Sequence, residues 1–532
     1  MDLVTLKSLA RRRRISRRDF IGLAISAGLT VAAADRLFVS TAYAATPKQG
    51  GRFRLGLAGA NTTDSNDPAT WGTSALTNIG LWGATYNNLT EVAPDGQLAS
   101  ELAETIEPSD DAKTWVFRLR KGITFHNGKT LDADDVVASF NHHRGADSKS
   151  AAKAILSGVA DIRADGKETV VFTLTEGNAD FPYMCTDYHL VIGAAADGKI
   201  DWERPVGTGG YQFVSHEPGV RMVLKRNPDY WKEGRAHFED VELIGINDVV
   251  ARMNALVAGE VDAISRVDLK TLPLLQRHSD RIAIEEVTGT QHYTMPMFTD
   301  TAPFNDNNVR LALKHAIDRE ALVRTILFGH GVPGNDHPIT PANRYYAADI
   351  PVREYDPDKA RHYLKQAGHD TLRVDLSAAD AAFLGAVDTA VLFKEHAAKA
   401  GIDVNIVREP DDGYWNDVWL KKPFVMCFWA GRPTEDWMFS QVYANDAPWN
   451  DTHWKNERFN QLLVEARPEL DDNRRRELYR EMQLILRDEG GAIVPMYANF
   501  VFARSTKVAR GEAIAANWEL DGWKCIERWW FA

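Results

Sequence analysis

Alternation of hydrophobic and polar residues predicts short strands along much of the chain. Residues 51–57 alternate around Phe53, Leu55 and Leu57, and residues 114–119 alternate aromatic or aliphatic side chains with polar ones. A period of two residues is typical of a strand with one buried face. The same reasoning predicts further strands at 170–174, 261–264, 372–376, 403–407, 493–497 and 499–503.

Apolar residues spaced three and four apart predict helices between these strands. Residues 308–317 show this spacing. Asp356 and Pro357 predict a helix start, with Asp as N-cap and Pro at the first helical position, and Gly368 ends that helix. Other predicted helices are 75–89, one beginning near 131–137, 251–258, 387–400 and 474–487. Because helices and strands are mixed throughout, the fold class is α/β or α+β.

The first 44 residues have the pattern of an export signal. Arg17 and Arg18 stand just before Phe20, an uncharged stretch covers residues 20–34, and Ala42-Tyr43-Ala44 is a small-x-small cleavage pattern. The apolar run is shorter than the roughly 20 residues that span a bilayer. We expect a twin-arginine signal peptide cleaved near Ala44/Ala45 and a periplasmic mature protein. The alternative is a retained N-terminal anchor.

Composition narrows the possible partners. The 532 residues carry a net charge of −12, with 44% hydrophobic and 26% charged residues, so a large core is available and a nucleic-acid partner is disfavoured. Three cysteines allow one disulfide bridge at most. The length predicts roughly three to five domains.

The usual catalytic, metal and nucleotide motifs are missing from the sequence. The stretch Gly128-Lys129-Thr130 lacks the preceding glycine spacing of a P-loop and leads into an acidic helix. No His-Glu-x-x-His, Cys-x-x-Cys or Gly-x-Ser-x-Gly occurs. We therefore predict a protein that is not an enzyme and has no cofactor and no metal site.

The most informative segment is 424–443. A continuously apolar strand at 424–429 is followed by a turn that carries charged and aromatic side chains: Trp429, Arg432, Glu435, Asp436 and Trp437. Indole faces suit apolar or cationic groups, carboxylates pair with ammonium, and arginine can fork onto a carboxylate. This favours a binding site for a small charged ligand. The alternative is that Arg432 pairs with Glu435 or Asp436 and that the tryptophans belong to the core.

Several segments together resemble one protein family. They are 102–104, 109–115, 117–128, 134–139, 206–211 (Val206-Gly207-Thr208-Gly209-Gly210-Tyr211), 226–231, 259–263, 302–306, 316–319 and 355–360. In this order they resemble the large periplasmic solute-binding proteins of the peptide/nickel class of ABC importers.

The resemblance implies an α/β, two-lobed binding protein with its ligand cleft between the lobes. The expected domains after the signal at 1–44 are a discontinuous domain I (45–78, 198–285 and 495–532), domain II (79–197) and domain III (286–494). Hinge closure would enclose a small peptide or an amine-bearing, cationic solute, which a monomer would deliver to an inner-membrane permease. The alternatives are a nickel- or haem-type ligand in the same fold, or a secreted hydrolase.

The resemblance also implies site residues. In dipeptide-binding relatives, a Trp-containing segment with a following Asp contacts the peptide amine, and Trp429 with Glu435 or Asp436 falls there. Those relatives use an Arg for the peptide carboxylate, but residues 378–387 contain none. Either Arg432 takes that role or the ligand is cationic. The loop with Asn61, Thr62 and Thr63 is expected near the cleft, and weaker candidates are Trp71, Trp415, Trp449 and Asn450.

Overall fold

The computed structural model describes residues 17–26, 47–72, 74–145, 148–150, 152–411, 413–447 and 449–532. Its strands are β1 (Arg52–Leu57), β2 (Thr90–Val92), β3 (Leu98–Ser100), β4 (Ala103–Pro108), β5 (Thr114–Leu119), β6 (Val159–Ala164), β7 (Thr169–Leu174), β8 (Ala195–Ala196), β9 (Lys199–Ile200), β10 (Tyr211–Glu217), β11 (Arg221–Arg226), β12 (Asp240–Gly245), β13 (Ala263–Ile264), β14 (Ile282–Pro296), β15 (Gly331–Pro333), β16 (Leu372–Ala378), β17 (Ile402–Arg408), β18 (Cys427–Trp429), β19 (Ala492–Ser505), β20 (Val508–Ala509) and β21 (Trp530–Phe531).

The helices start and stop at the residues that their capping chemistry favours. Asp356 accepts from the Lys359 amide ahead of Pro357, and Gly259 ends another helix in a left-handed conformation, as predicted. The helical segments are Arg17–Ser26, Pro68–Thr70, Ala75–Thr77, Asn78–Thr85, Ala133–His142, Ala152–Ile155, Phe181–Met184, Val249–Ala258, Leu272–Gln276, Asn307–His315, Arg319–Thr325, Pro357–Gln366, Ala386–Ala398, Tyr414–Asp417, Glu435–Val442, Glu457–Ala466, Asp472–Glu489, Glu519–Gly522 and Cys525–Arg528. The segment predicted as one helix at 75–89 is an α-turn followed by a π-helical stretch.

The predicted export signal is described only in part. Its arginine pair begins the helix Arg17–Ser26, whereas the cleavage pattern Ala42–Ala44 lies outside the described residues. In the described part of the chain, we find no helix with the length and hydropathy needed to cross a membrane. All three cysteines are buried and free.

Two long strands, β14 and β19, organise the largest sheet. Its order is β10-β11-β12-β1-β13-β19-β14-β18, with β15 paired to β19, and β14 runs antiparallel to β19 from Ile282↔Ser505 to Pro296↔Ala492. The prediction of two separate strands at 493–497 and 499–503 was wrong. Asn499, which interrupts the apolar pattern, still pairs with Thr288, because a partner strand continues past it.

The buried apolar side chains form cores on either side of these strands. In what we call the first half, cores lie within residues 53–282 and 501–529, including a separate one at 89–192. In the second half they lie within residues 293–498. The strand β19 contributes to both halves, with Met496 and Tyr497 in the second and Phe502 and Ala503 in the first.

The two halves also meet at a point distant from β14 and β19. The carboxylate of Asp180 lies 2.8 Å from the guanidinium of Arg475, and both side chains are almost fully buried. Beside this ion pair the Ala179 amide donates to the Arg467 carbonyl at 2.7 Å. We call this contact, between residues 176–180 and 467–475, the latch. It joins the half that contains Asp180 to the half that contains Arg475.

A buried charge cluster holds distant parts of the first half together. The Lys232 ammonium lies 3.1 Å from Glu91, 2.6 Å from Glu101 and 3.3 Å from Glu527. Burial alone would lower the pKa of Lys232, but the carboxylates outweigh it and raise that pKa well above its ordinary value. The three carboxylates could surround a metal ion by their spacing, but the Lys232 ammonium already lies among them.

Lys232→Met should destabilise the fold by about 3–5 kcal/mol, because it leaves three buried carboxylates without their central cation. Urea denaturation measures this as a lower unfolding midpoint. The matched control is Lys121→Met, which removes an exposed pair with Glu168 and should change stability by less than about 1 kcal/mol. Equal, small effects of the two substitutions would contradict a stabilising role for the cluster.

Candidate functional site

The sheet and one helix fix the segment that the sequence singled out. The strand β18 ends at Trp429, which pairs with His292 of β14. The chain then turns and enters the helix Glu435–Val442, whose N-cap Thr434 accepts from the Trp437 amide. The residues between Trp429 and Thr434 therefore form a short loop held at both ends.

Gly431 allows this loop to pass close to β14. It adopts φ +80°, and a Cβ at this position would lie 2.4 Å from Thr290 atoms. The Thr290 hydroxyl donates to the Ala430 carbonyl at 3.1 Å. Because only glycine satisfies both the backbone angle and the close approach, this position fixes where Arg432 begins.

Arg432 is a half-buried cation without an ionic partner among the described residues. Its Nε donates to Gln441 Oε1 at 2.5 Å and its Nη1 donates to the Gly431 carbonyl at 2.7 Å. Burial lowers the pKa of Arg432, although Tyr188 and Asp187 oppose this shift. The alternative in which Arg432 pairs with Glu435 or Asp436 was wrong.

Three indole rings surround the Arg432 guanidinium. Its central carbon lies 6.0 Å from the ring of Trp429, 5.8 Å from Trp437 and 5.9 Å from Trp449. Trp429 is 6% exposed and belongs to a core, Trp437 is half-buried, and Trp449 is 39% exposed. Because Gln441 holds Arg432 by its side chain and accepts from the Trp449 amide by its carbonyl, it positions both groups.

Behind these rings lies a buried carboxyl group. Asp451 accepts from Trp419 Nε1 at 3.3 Å, and the Trp419 ring packs edge-on against Trp429 and Trp449. Burial raises the pKa of Asp451 to about 7. The predicted weaker candidate Asn450 instead bonds the Trp454 carbonyl, and Trp415 packs on Trp419.

Aromatic side chains of the first half form a wall that begins at Tyr188, near Arg432. Tyr188 and Arg432 shift each other's pKa through their charges, and the Tyr188 ring packs against His189, Trp518 and Trp523 at 4.0, 5.8 and 5.9 Å. The Asp187 carboxylate lies 2.6 Å from His189 Nδ1, so it already has a protein partner.

Trp523 of this wall is the last residue of a left-handed turn. The φ angles of Leu520, Asp521 and Trp523 are 53°, 62° and 61°. The Asp521 carboxylate stabilises the turn by accepting from the Ala515 amide at 2.9 Å and from Trp529 Nε1 at 3.1 Å.

Glu435 and Asp436 are directed elsewhere. Glu435 accepts from the Tyr345 amide at 2.7 Å, and Asp436 accepts from Arg467 Nε at 3.1 Å, beside the latch. Both are almost fully buried. Contact between these carboxylates and a ligand stays a prediction, since in this structure both have protein partners.

The loop with Asn61, Thr62 and Thr63 lies at a separate cavity. Asn61 and Thr63 line a cavity of about 180 Å³ whose described lining residues all come from 61–77, including Trp71. Thr62 is exposed and is not among them. The described structure therefore does not join this loop to Arg432, and its ligand contact also stays a prediction.

Sequence reasoning missed Tyr188, Gln441 and Asp451. Tyr188 lies 244 positions before Arg432 in the sequence, so no local pattern links the two residues. Gln441 had a usable signal, because it lies on the same helix that Thr434 and the two following acids begin. Acidic residues after a Thr N-cap are typical of a helix start.

Glu435 should make stability depend on pH. Burial raises its pKa to about 7, against roughly 4.3 in the unfolded chain. The folded state therefore holds a proton that the unfolded state releases, so stability is fullest below about pH 4.3 and falls as pH rises toward 7. Glu435→Gln should flatten this decline by about 1–3 kcal/mol between pH 5 and 8 in urea denaturation.

Asp451 contributes a decline of the same sign, so the double variant with Asp451→Asn should be flatter than either single variant. The control is Glu481→Gln at the surface, which should keep the wild-type slope. A wild-type slope in Glu435→Gln would show that this carboxyl is not protonated in the folded state.

Comparisons with known proteins identify the family and the fold of the chain. The family described as bacterial extracellular solute-binding proteins, family 5 Middle, matches residues 97–451. The dipeptide-binding protein of Escherichia coli K12 is 26% identical over 472 residues, an alignment that covers 81% of this chain and 86% of that protein. Heme-binding protein A of Haemophilus influenzae Rd is 28% identical over 312 residues, which covers 53% of this chain and 56% of that protein. The solved structure of AgaA from A. tumefaciens R10 with agropinic acid superposes with a TM-score of 0.71 at 23% identity, covering 91% of this chain and 99% of its own, which confirms the two-lobed α/β fold. The chain belongs to the family 5 bacterial extracellular solute-binding proteins.

Proposed function

We propose that this protein is the periplasmic binding component of an ABC importer, which captures a small solute and delivers it to a membrane permease. Family membership supports a binding role rather than an enzymatic one. The arginine pair and apolar stretch of the first 44 residues support export by the twin-arginine route, with cleavage near Ala44/Ala45. The protein would act as a monomer without nucleic acid.

We also propose the division into domain I (45–78, 198–285 and 495–532), domain II (79–197) and domain III (286–494). Its support is the separation of the cores. The core at 89–192 would belong to domain II, and the cores at 293–498 would belong mainly to domain III. Residues 79–86 pack in the first core at 53–86, so the first boundary would fall a few residues later than the sequence suggested.

The observation that carries the proposed function is that Arg432, held among three indole rings of the second half, lies near Tyr188 of the first half. Tyr188, Trp518 and Trp523 come from the first half, while Trp429, Trp437 and Trp449 come from the second. A ligand between these walls would be shielded from water only when the halves are closed. The continuous strands β14 and β19 would act as the hinge, and the latch would hold the closed form.

The ligands named for relatives are chemically diverse. They include a dipeptide, heme and agropinic acid. A shared fold therefore leaves the ligand to the side chains at the centre of the cleft, and we propose Trp429, Arg432 and Trp437 as its floor.

A thermal-shift screen should identify ligands by stabilisation. A solute at 100 times its Kd stabilises the folded state by about 2.7 kcal/mol. The panel should contain peptides, amines, carboxylates, sugars, haem and nickel. We expect at least one class to raise the Tm in a dose-dependent manner, and a flat response to every class would contradict the proposal.

Trp449→Ala should weaken the binding of any such hit at least about tenfold, because it removes an exposed ring from the Arg432 site. Its matched control is Trp415→Ala. Trp415 is 38% exposed and packs on Trp419 and Phe428, but it does not approach Arg432 within ring-contact distance. Equal losses in the two variants, measured by calorimetry, would place the ligand elsewhere.

A further inference from the structure

Arg432 has more donors than the protein satisfies. A guanidinium carries five N–H groups. Among the described residues, acceptors are present for two of them, at Gln441 Oε1 and at the Gly431 carbonyl. A half-buried cation without a counter-charge is unfavourable unless another group completes its hydrogen bonds.

The rings around Arg432 hold the cation without neutralising it. Contacts of 5.8–6.0 Å to three indole rings stabilise the positive charge through the ring faces, but they supply no hydrogen-bond acceptor for its remaining N–H groups. Because Arg432 is half-buried, an ion pair formed here would be stronger than one in bulk water. A planar oxyanion is the group that completes such a site.

The Tyr188 hydroxyl of the first half is a second available donor, and this side chain is near enough to Arg432 for each to shift the other's pKa. Its hydroxyl forms no hydrogen bond with a described residue, and burial raises its pKa, so it stays protonated at neutral pH. The nearby Asp187 carboxylate already has a protein partner, since it lies 2.6 Å from His189 Nδ1. Burial lowers the pKa of His189, but the Asp187 carboxylate outweighs it and raises that pKa.

We infer that the bound solute carries a carboxylate, read by Arg432 and the Tyr188 hydroxyl, attached to a flat or apolar body that lies between the two aromatic walls. This inference rests on the proposed function and names its ligand class. Of the two alternatives that the sequence left open, it favours a carboxylate bound by Arg432 over a cationic solute, because an ammonium group would face the Arg432 charge. Glu435 and Asp436, the carboxylates that would attract an amine, have protein partners.

The test compares carboxylates with their own primary amides. N-acetyl-tryptophan, phenylacetate, indole-3-acetate and a set of dipeptides would be titrated, each beside its amide, together with phenyl phosphate and phenethylamine. Thermal shift would be recorded for every solute, and tryptophan fluorescence for the solutes without an indole. Because the chain has 15 Trp, the site variants decide whether a fluorescence change arises at this place. Arg432→Met, Arg432→Lys and Tyr188→Phe are the site variants. Arg458→Met, which removes an exposed pair with Glu481 in the same half, is the control.

We expect carboxylates to bind and their amides to bind on the order of 100-fold more weakly, the loss typical of an unpaired buried charge. Arg432→Met should produce the same loss, Arg432→Lys and Tyr188→Phe a smaller one, and Arg458→Met none. If Arg432→Met does not fold, the Arg432→Lys and Tyr188→Phe results decide.

Other outcomes overturn the inference and separate it from the proposed function. If amines, amides or phenyl phosphate bind as well as carboxylates, or if carboxylate affinity survives in the site variants, the protein is still a binding protein but the ligand class is wrong. If no solute in this set or in the broader panel changes the wild-type signals, both the proposed function and the inference fail.

Discussion

The antiparallel pairing of β14 with β19 is the constraint on which the rest of the molecule depends. These strands pair from Ile282 to Pro296, and β19 side chains enter cores in both halves. The register shifts between Thr288 and His292, beside the close approach of Thr290 to Gly431. One of the two irregular points of this ladder therefore lies beside the candidate site.

Charged side chains fall into two groups with different consequences. Lys232 is buried at ion-pair distance from Glu101. Asp180 is buried in the same way beside Arg475. Each pair joins segments that are far apart in the sequence. Arg432 is held by one amide side chain and three rings, with no carboxylate of the described residues at ion-pair distance. Because burying an ion is costly unless it is paired, the first group stabilises the fold, and the exception, Arg432, is the centre of the proposed ligand site.

Local chemistry was readable from the sequence, whereas long-range contact was not. The helix that starts at Pro357 and the cap at Gly259 follow from residue type alone. The segment of Trp429 and Arg432 was also found, because a buried strand followed by charged and aromatic residues is unusual. The partner of the Glu435 carboxylate could not be deduced from the sequence, since it is the Tyr345 amide, 90 positions away. Tyr188 reaches Arg432 only through the packing of the two halves.

The left-handed turn at Leu520–Trp523 gives the first-half face of the cleft better ordered side chains than the second-half face. Four consecutive positions, 520–523, have positive φ, and three of them carry side chains. The strain of these three is offset by the hydrogen bonds of the Asp521 carboxylate. The stacked pair Trp518 and Trp523 is thereby preorganised, so binding does not have to order these rings. At the proposed site, the first half would therefore present rings that are already ordered, and the entropy lost on binding would fall mainly on the solute and on the exposed Trp449 side chain of the second half.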